Sequence, residues 1–248
     1  MLTKYAASIL LSTDMLYDYL ISSLEKEYGT VRVMKENERG SVILLCHKKS
    51  GQRFVFHHYK GNGDVYQKLL EISCPGLPLV LEAAQKDGMV AVLEEYVQGD
   101  SLSELLEADL FTTEQTCLIA RQICQALWVL HSLGAVHRDV KPENVILRGD
   151  QAVLIDFDAS RVVKNGKKED TQVLGTTGYA PPEQYGMAQT SAQSDIYALG
   201  VMMNVMLTGG HPSKKLASGH LGRVIQRCTQ ISPGRRYKNV LRLMEDIR

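Results

Sequence analysis

The stretch VHRDVKPENVILRGDQAVLIDFDAS, residues 136–160, concentrates side chains that can do chemistry: Asp139, Lys141, Asn144 and Asp156. A carboxylate can receive a proton from a hydroxyl, and an ammonium can neutralise charge as it moves. An amide oxygen beside a second carboxylate suits a hard cation, which prefers oxygen ligands. Moving a phosphoryl group demands such a set, because the protein supplies mainly positioning and charge neutralisation. Asp and Asn in loops also serve simply as turn formers, so the reading rests on what surrounds them.

The elements around this stretch change character along the chain. NVILRGDQAVLIDF reads as a hairpin turning at Gly149-Asp150, with Asp156 across it from Asn144. Long helices are expected over residues 113–133 and 196–207, where Met202, Met203 and Met206 fill core. Upstream, TVRVMK, SVILLCHKK and QRFVFHHYK read as strands with a Lys49-Ser50-Gly51 turn between the last two. A short helix over 64–72 and the strands LPLVLEAAQ and MVAVLEEYV follow. Leu10, Leu11, Met15, Leu16, Leu20 and Leu24 recur at helical spacing ahead of the first strand. The expectation is an α+β chain: a helical extension over 1–28, a strand-rich small lobe over 29–97 and a helical large lobe over 98–248.

Composition narrows the class. A chain of 248 residues with 44% hydrophobic content can bury roughly 70–75% of its unfolded surface. Lysine plus arginine equals aspartate plus glutamate at 28 each, which gives no electrostatic reason to expect nucleic acid or an anionic membrane as partner. The five cysteines are scattered without a CxxC pair, so neither a disulfide framework nor a zinc site is encoded. With no apolar run of about 18 residues, the expectation is a cytoplasmic protein without a membrane segment.

Five motifs in order carry a resemblance. HRDVKPEN (137–144), DFD (156–158), GTTGYAPPEQ (175–184), SDIYALG (194–200) and SPGRRY (232–237) resemble those of a eukaryotic-like serine/threonine protein kinase domain of the bacterial kind, over about residues 29–248. The resemblance implies a bilobal protein-kinase-like fold, with a small antiparallel sheet and a helix in the first lobe and a mostly helical second lobe. It implies ATP with Mg²⁺ or Mn²⁺ as cofactors and a protein substrate of unknown identity. It makes Asp139 the carboxylate that meets the acceptor hydroxyl and Lys141 the cation on the transferred phosphate. Asn144 and Asp156 become metal ligands, and Thr176 closes the acceptor side. Val42, Val55, His57, Glu95, Val97, Ile146 and Asp156 fall on the nucleotide, Glu95 to Val97 through backbone groups. Arg236 pairs with Glu183, His137 packs under the metal-binding segment, and Thr171, if phosphorylated, pairs with Arg138.

The nucleotide side departs from the family pattern. Aligning Gly40 and Val42 with the end of a glycine-rich loop puts Lys35 and Asn37 at its first two glycine positions. The third strand carries His57 where the family has lysine. Lys60 falls on the opposite strand face, and Arg53 sits about 13 Å away along the strand. The short helix offers no glutamate in register, since Val65 occupies that position. Glu94 stands where the back of the pocket is usually apolar, and a His57–Glu94 pair is expected to replace the missing lysine–glutamate pair. On that view His57→Ala costs nucleotide binding little. DFD puts Asp158 at a glycine position, where aspartate tolerates positive φ better than most residues. Three function classes remain: a protein kinase, a pseudokinase acting as binding or scaffolding module, and a small-molecule phosphotransferase.

Overall fold

Strand alternation organises the first part of the chain. In RFVFHHYK, Val55, His57 and Tyr59 turn to one side while Phe54, Phe56 and His58 turn to the other, as a period of two requires. The computed structural model describes residues 13–163, 178–185 and 190–248. They form two compact units, one running to Ser73 and resuming over Pro78–Tyr96, the other made of Cys74–Leu77 with Val97–Arg248.

The first unit contains helix α1 (Thr13–Glu27), strands β1 (Tyr28–Asn37), β2 (Gly40–His47) and β3 (Arg53–Lys60), helix α2 (Asp64–Leu69), and strands β4 (Val80–Lys86) and β5 (Met89–Glu95). The strands pair antiparallel in the order β1-β2-β3-β5-β4. Lys35 and Asn37 are ladder residues opposite Val42 and Gly40, and the chain turns only at Glu38-Arg39. There Asn37 acts as a turn former, its Oδ1 accepting from Arg39 N at 2.9 Å. Gly40 is required by packing, since a Cβ would stand 2.1 Å from His58 O.

Helix α1 covers the sheet face that carries Phe56. Leu20 and Leu24 are buried with Leu45, Phe56, Ala84, Ala91 and Leu93. Tyr17 Oη lies 2.7 Å from His58 Nε2, Asp18 pairs with Lys86 at 2.6 Å, and Lys48 Nζ caps the helix C-terminus by donating to Glu25 O and Lys26 O. Residues 1–12 of the expected extension lie outside the described residues. Helix α2 stops at Leu69 rather than residue 72: Leu69 O accepts from Ile72 N as a turn, and Pro75 biases Cys74 away from helix.

The second unit contains β6 (Asp100–Ser101), α3 (Leu102–Ala108), α4 (Thr113–Ser132), β7 (Ala135–Val136), β8 (Val145–Arg148), β9 (Gln151–Leu154), β10 (Arg161–Val162), α5 (Ala192–Thr208), α6 (Gly219–Cys228) and α7 (Val240–Asp246). Helix α4 starts with a capping box, Thr112 accepting from Gln115 N while the Gln115 side chain accepts from Thr112 N. Ile123, Leu127 and Leu130 of α4 and Ile196, Leu199 and Met202 of α5 are among the largest fully buried side chains. Helix α5 begins at Ala192 rather than residue 196: Ser194 Oγ accepts from Ser191 N in a capping box, and the polar first turn it starts carries no apolar periodicity. The β8–β9 hairpin turns at Gly149, φ +60°, as expected.

Candidate active site

The strand pair β8–β9 brings the reactive residues together. Val145 opposes Leu154, and Ile155 N donates to Asn144 O at 2.9 Å, which puts Asp156 one residue beyond that bond. Asn144 Nδ2 donates to Asp139 Oδ2 at 3.0 Å and to Asp139 O at 2.9 Å. Lys141 Nζ lies 2.8 Å from Asp139 Oδ2. Three of the four residues thus share one carboxylate, and the fourth joins them through the hairpin.

The loop leading into this cluster is held from below by Asp195 of α5. Its Oδ2 accepts from His137 N at 2.9 Å and lies 2.8 Å from His131 Nε2, while its Oδ1 accepts from Arg138 N at 2.8 Å. Gln184 Nε2 donates to Arg138 O at 2.6 Å. These bonds hold Arg138 at φ +72°, a conformation that L-residues rarely adopt, and Asp156 shares that region at φ +65°.

Burial lowers the pKa of His137. Its Nδ1 accepts from Asp139 N and its Nε2 donates to Ile155 O, so a second proton has no acceptor there. For Asp195 burial acts upward, but the His131 hydrogen bond and neighbouring groups carry its pKa below the ordinary value. The stability consequences share a sign. A depressed His137 contributes stability in full above about pH 6.5 and loses it as pH falls through the folded pKa. Asp195 adds a further loss below its ordinary carboxylate range. Burial of His58 acts like that of His137. The melting temperature should therefore fall between pH 7.5 and 5.5 at constant ionic strength, and His58→Gln should flatten part of that slope.

Comparison with known proteins gives the site a family. Residues 28–242 match the family described as the protein kinase domain. The chain belongs to it. The domain is 38% identical over 132 residues to serine/threonine-protein kinase A of Synechocystis, covering 48% of this chain and 25% of that protein. It is 30% identical over 208 residues to serine/threonine-protein kinase pkn2 of Myxococcus xanthus, covering 76% of this chain and 25% of the relative. A probable serine/threonine-protein kinase PknB of Corynebacterium glutamicum is 37% identical over 134 residues, 51% of this chain and 21% of that protein. The kinase domain thus spans about a quarter of the length of these relatives.

Other expected residues of the kinase domain are placed as follows. Arg236 holds Glu183 in a bidentate pair, Nη1–Oε1 2.6 Å and Nη2–Oε2 2.9 Å. The His137 ring meets Phe157 edge-on at 5.4 Å. Thr171 and Thr176 lie outside the described residues. Val42 sits on β2, Val55 and His57 on β3, Glu95 at the end of β5, Val97 just after it, and Ile146 on β8. Glu95 N donates to Leu79 O at 2.9 Å. The expected positive φ at Asp158 is corrected: among the described residues it occurs in this motif at Asp156.

The His57–Glu94 pair is present. His57 Nε2 lies 3.0 Å from Glu94 Oε1, with the residues 2% and 3% exposed. Two supports were missed in the sequence: Asp195, and His131 behind it. A carboxylate immediately ahead of the largely apolar run IYALGVMMNVML was the available signal, because a charge on a buried helix must be paired. Among the described residues no helix is long and apolar enough to cross a membrane.

Proposed function

We propose that this domain transfers the terminal phosphoryl group of ATP to a serine or threonine hydroxyl of a protein substrate, in the cytoplasm. The observation that carries the reading is the shared carboxylate: Asp139 is bonded at once to Lys141 and Asn144, and the β8–β9 hairpin brings Asp156 to Asn144.

The donor set fits a hard divalent cation, Mg²⁺ or Mn²⁺. Asn144 turns its Nδ2 toward Asp139, which leaves the amide oxygen as its ligand end, and Asp156 offers carboxylate oxygens. Such a metal would be held by Asn144 and Asp156 and would supply neutralisation of the phosphate charge. The chain's own residues do the rest. Asp139 orients the acceptor hydroxyl and takes its proton as the new P–O bond forms. The bond from the γ-phosphorus to the β–γ bridging oxygen breaks, and ADP leaves with that oxygen. Lys141, held by Asp139, places its ammonium against the transferred group. Thr176 is assigned to the acceptor side. On the nucleotide side, Val42 and Val55 offer apolar surface for the base, and His57 takes the position of a lysine.

The test is incubation with γ-labelled ATP, with and without chelator, followed by mass spectrometry of the modified protein. Label on serine or threonine that disappears with chelator supports the reading. ATP binding without any transfer overturns it and favours a binding module.

A further inference from the structure

Equal totals of acidic and basic residues conceal a segregation inside the second unit. From Val97 to Ala120 the chain carries five carboxylates and no lysine or arginine, whereas from Ile196 to Met244 it carries eight lysines and arginines and no carboxylate. Both stretches reach the surface at the C-terminal end of α5. Gly209 caps that helix at φ +71°, Leu110 Cδ2 stands 3.5 Å from where a Cβ on it would lie, and Phe111 N donates to Met206 O at 2.9 Å. From the basic stretch, Lys215 Nζ meets Thr208 O at 3.4 Å.

The loop that follows α5 is held in one shape. Asn204, fully buried in the helix, donates from Nδ2 to Gly210 O and Lys215 O, both at 2.7 Å, and accepts from Ala217 N at Oδ1, 2.9 Å. The backbone groups on either side of Leu216 are thereby tied to one amide. Across the loop, Gly222 of α6 approaches so closely that a Cβ would stand 1.9 Å from Ala217 O. Leu216 is left 41% exposed, and Leu110 44%. Near these leucines in sequence, Lys214, Lys215, Glu107 and Asp109 are exposed, and none of the four makes an ion pair among the described residues. Exposed apolar side chains on a braced backbone mark an interaction surface.

We propose that this surface is a two-fold interface between two copies of the chain, with Lys214 and Lys215 of each copy against Glu107 and Asp109 of the other and the exposed leucines between them. A partner of one sign would satisfy half of these charges and repel the rest. A second copy presents both signs, and a two-fold contact asks for such a self-complementary patch. The charges are exposed, so the contact is weak and salt-sensitive. It needs no nucleotide.

Sedimentation of the native chain at concentrations up to about 0.5 mM should show a monomer–dimer equilibrium. Raising salt from about 0.1 to 1 M, which cuts the screening length from about 10 to 3 Å, should weaken it about tenfold or more. Lys214→Glu with Lys215→Glu, and separately Glu107→Lys with Asp109→Lys, should each raise the dissociation constant about tenfold or more, because like charges then face each other. Mixed in equal amounts with one of them fluorescently labelled, the two reversed variants should pair with each other at least as tightly as the native copies do. If one reversed variant does not fold, the other decides together with the salt series. A native chain that stays monomeric throughout leaves the surface to a different partner and overturns the proposal. So does a dimer that neither reversal weakens, a mixture of reversed variants that does not pair, or growth past the dimer.

Discussion

Asp139→Asn is expected to lower phosphate transfer by a factor of about 10² to 10⁴ while the melting temperature stays close to native. The substitution removes one charge at constant volume. Asn144 Nδ2 and Lys141 Nζ both meet Asp139 Oδ2, and an asparagine oxygen accepts from the same donors with little rearrangement. The loop itself is fixed elsewhere, by Asp195 on the amides of His137 and Arg138. Loss of activity with folding intact therefore isolates the proton acceptor from the scaffold. Transfer within about threefold of native would remove Asp139 from the proton-accepting role.

His57→Ala is expected to destabilise the domain by about 3–5 kcal/mol, the cost of removing one partner of a buried pair. At this size that is roughly 6–20 °C in melting temperature. The expectation from sequence placed a small cost on nucleotide binding; the structure moves a large cost onto folding, because the imidazole is what Glu94 meets inside the sheet. Replacing both residues by leucine should recover most of the loss, since a hydrophobic substitute for a buried pair is often neutral or stabilising. His57→Lys places a permanent cation beside Glu94 and should fold; higher transfer in that variant would mean that the native histidine limits the rate. A His57→Ala protein that melts within about 1 °C of native would show that the pair contributes little.

What was legible followed physical simplicity. The β8–β9 hairpin announced itself by Gly149-Asp150 between two apolar runs, and helix α4 by its long periodic face, so both appear within a residue of expectation. The cluster of Asp139, Lys141, Asn144 and Asp156 was legible because its members are close in sequence. Helix α2 read too long because its apolar residues, Leu70 and Ile72, continue past Leu69, where the chain leaves the helix in a turn. The support from Asp195 was illegible for a different reason: it joins residues 57 and 58 positions apart, and no local pattern records such a bond. His57–Glu94, 37 positions apart, could be proposed only because each residue was anomalous where it stood.

Helix α1 ends at Glu27, and the family match begins at residue 28. Helix α1 thus lies outside the matched residues yet belongs to the folded body of the first unit, since Leu20 and Leu24 share a core with Leu45, Phe56 and Leu93. An expression boundary drawn where family likeness starts would leave that core half built. The trimmed product would carry an oily sheet face into water, and its poor solubility would be mistaken for a defect of the catalytic body rather than of the cut.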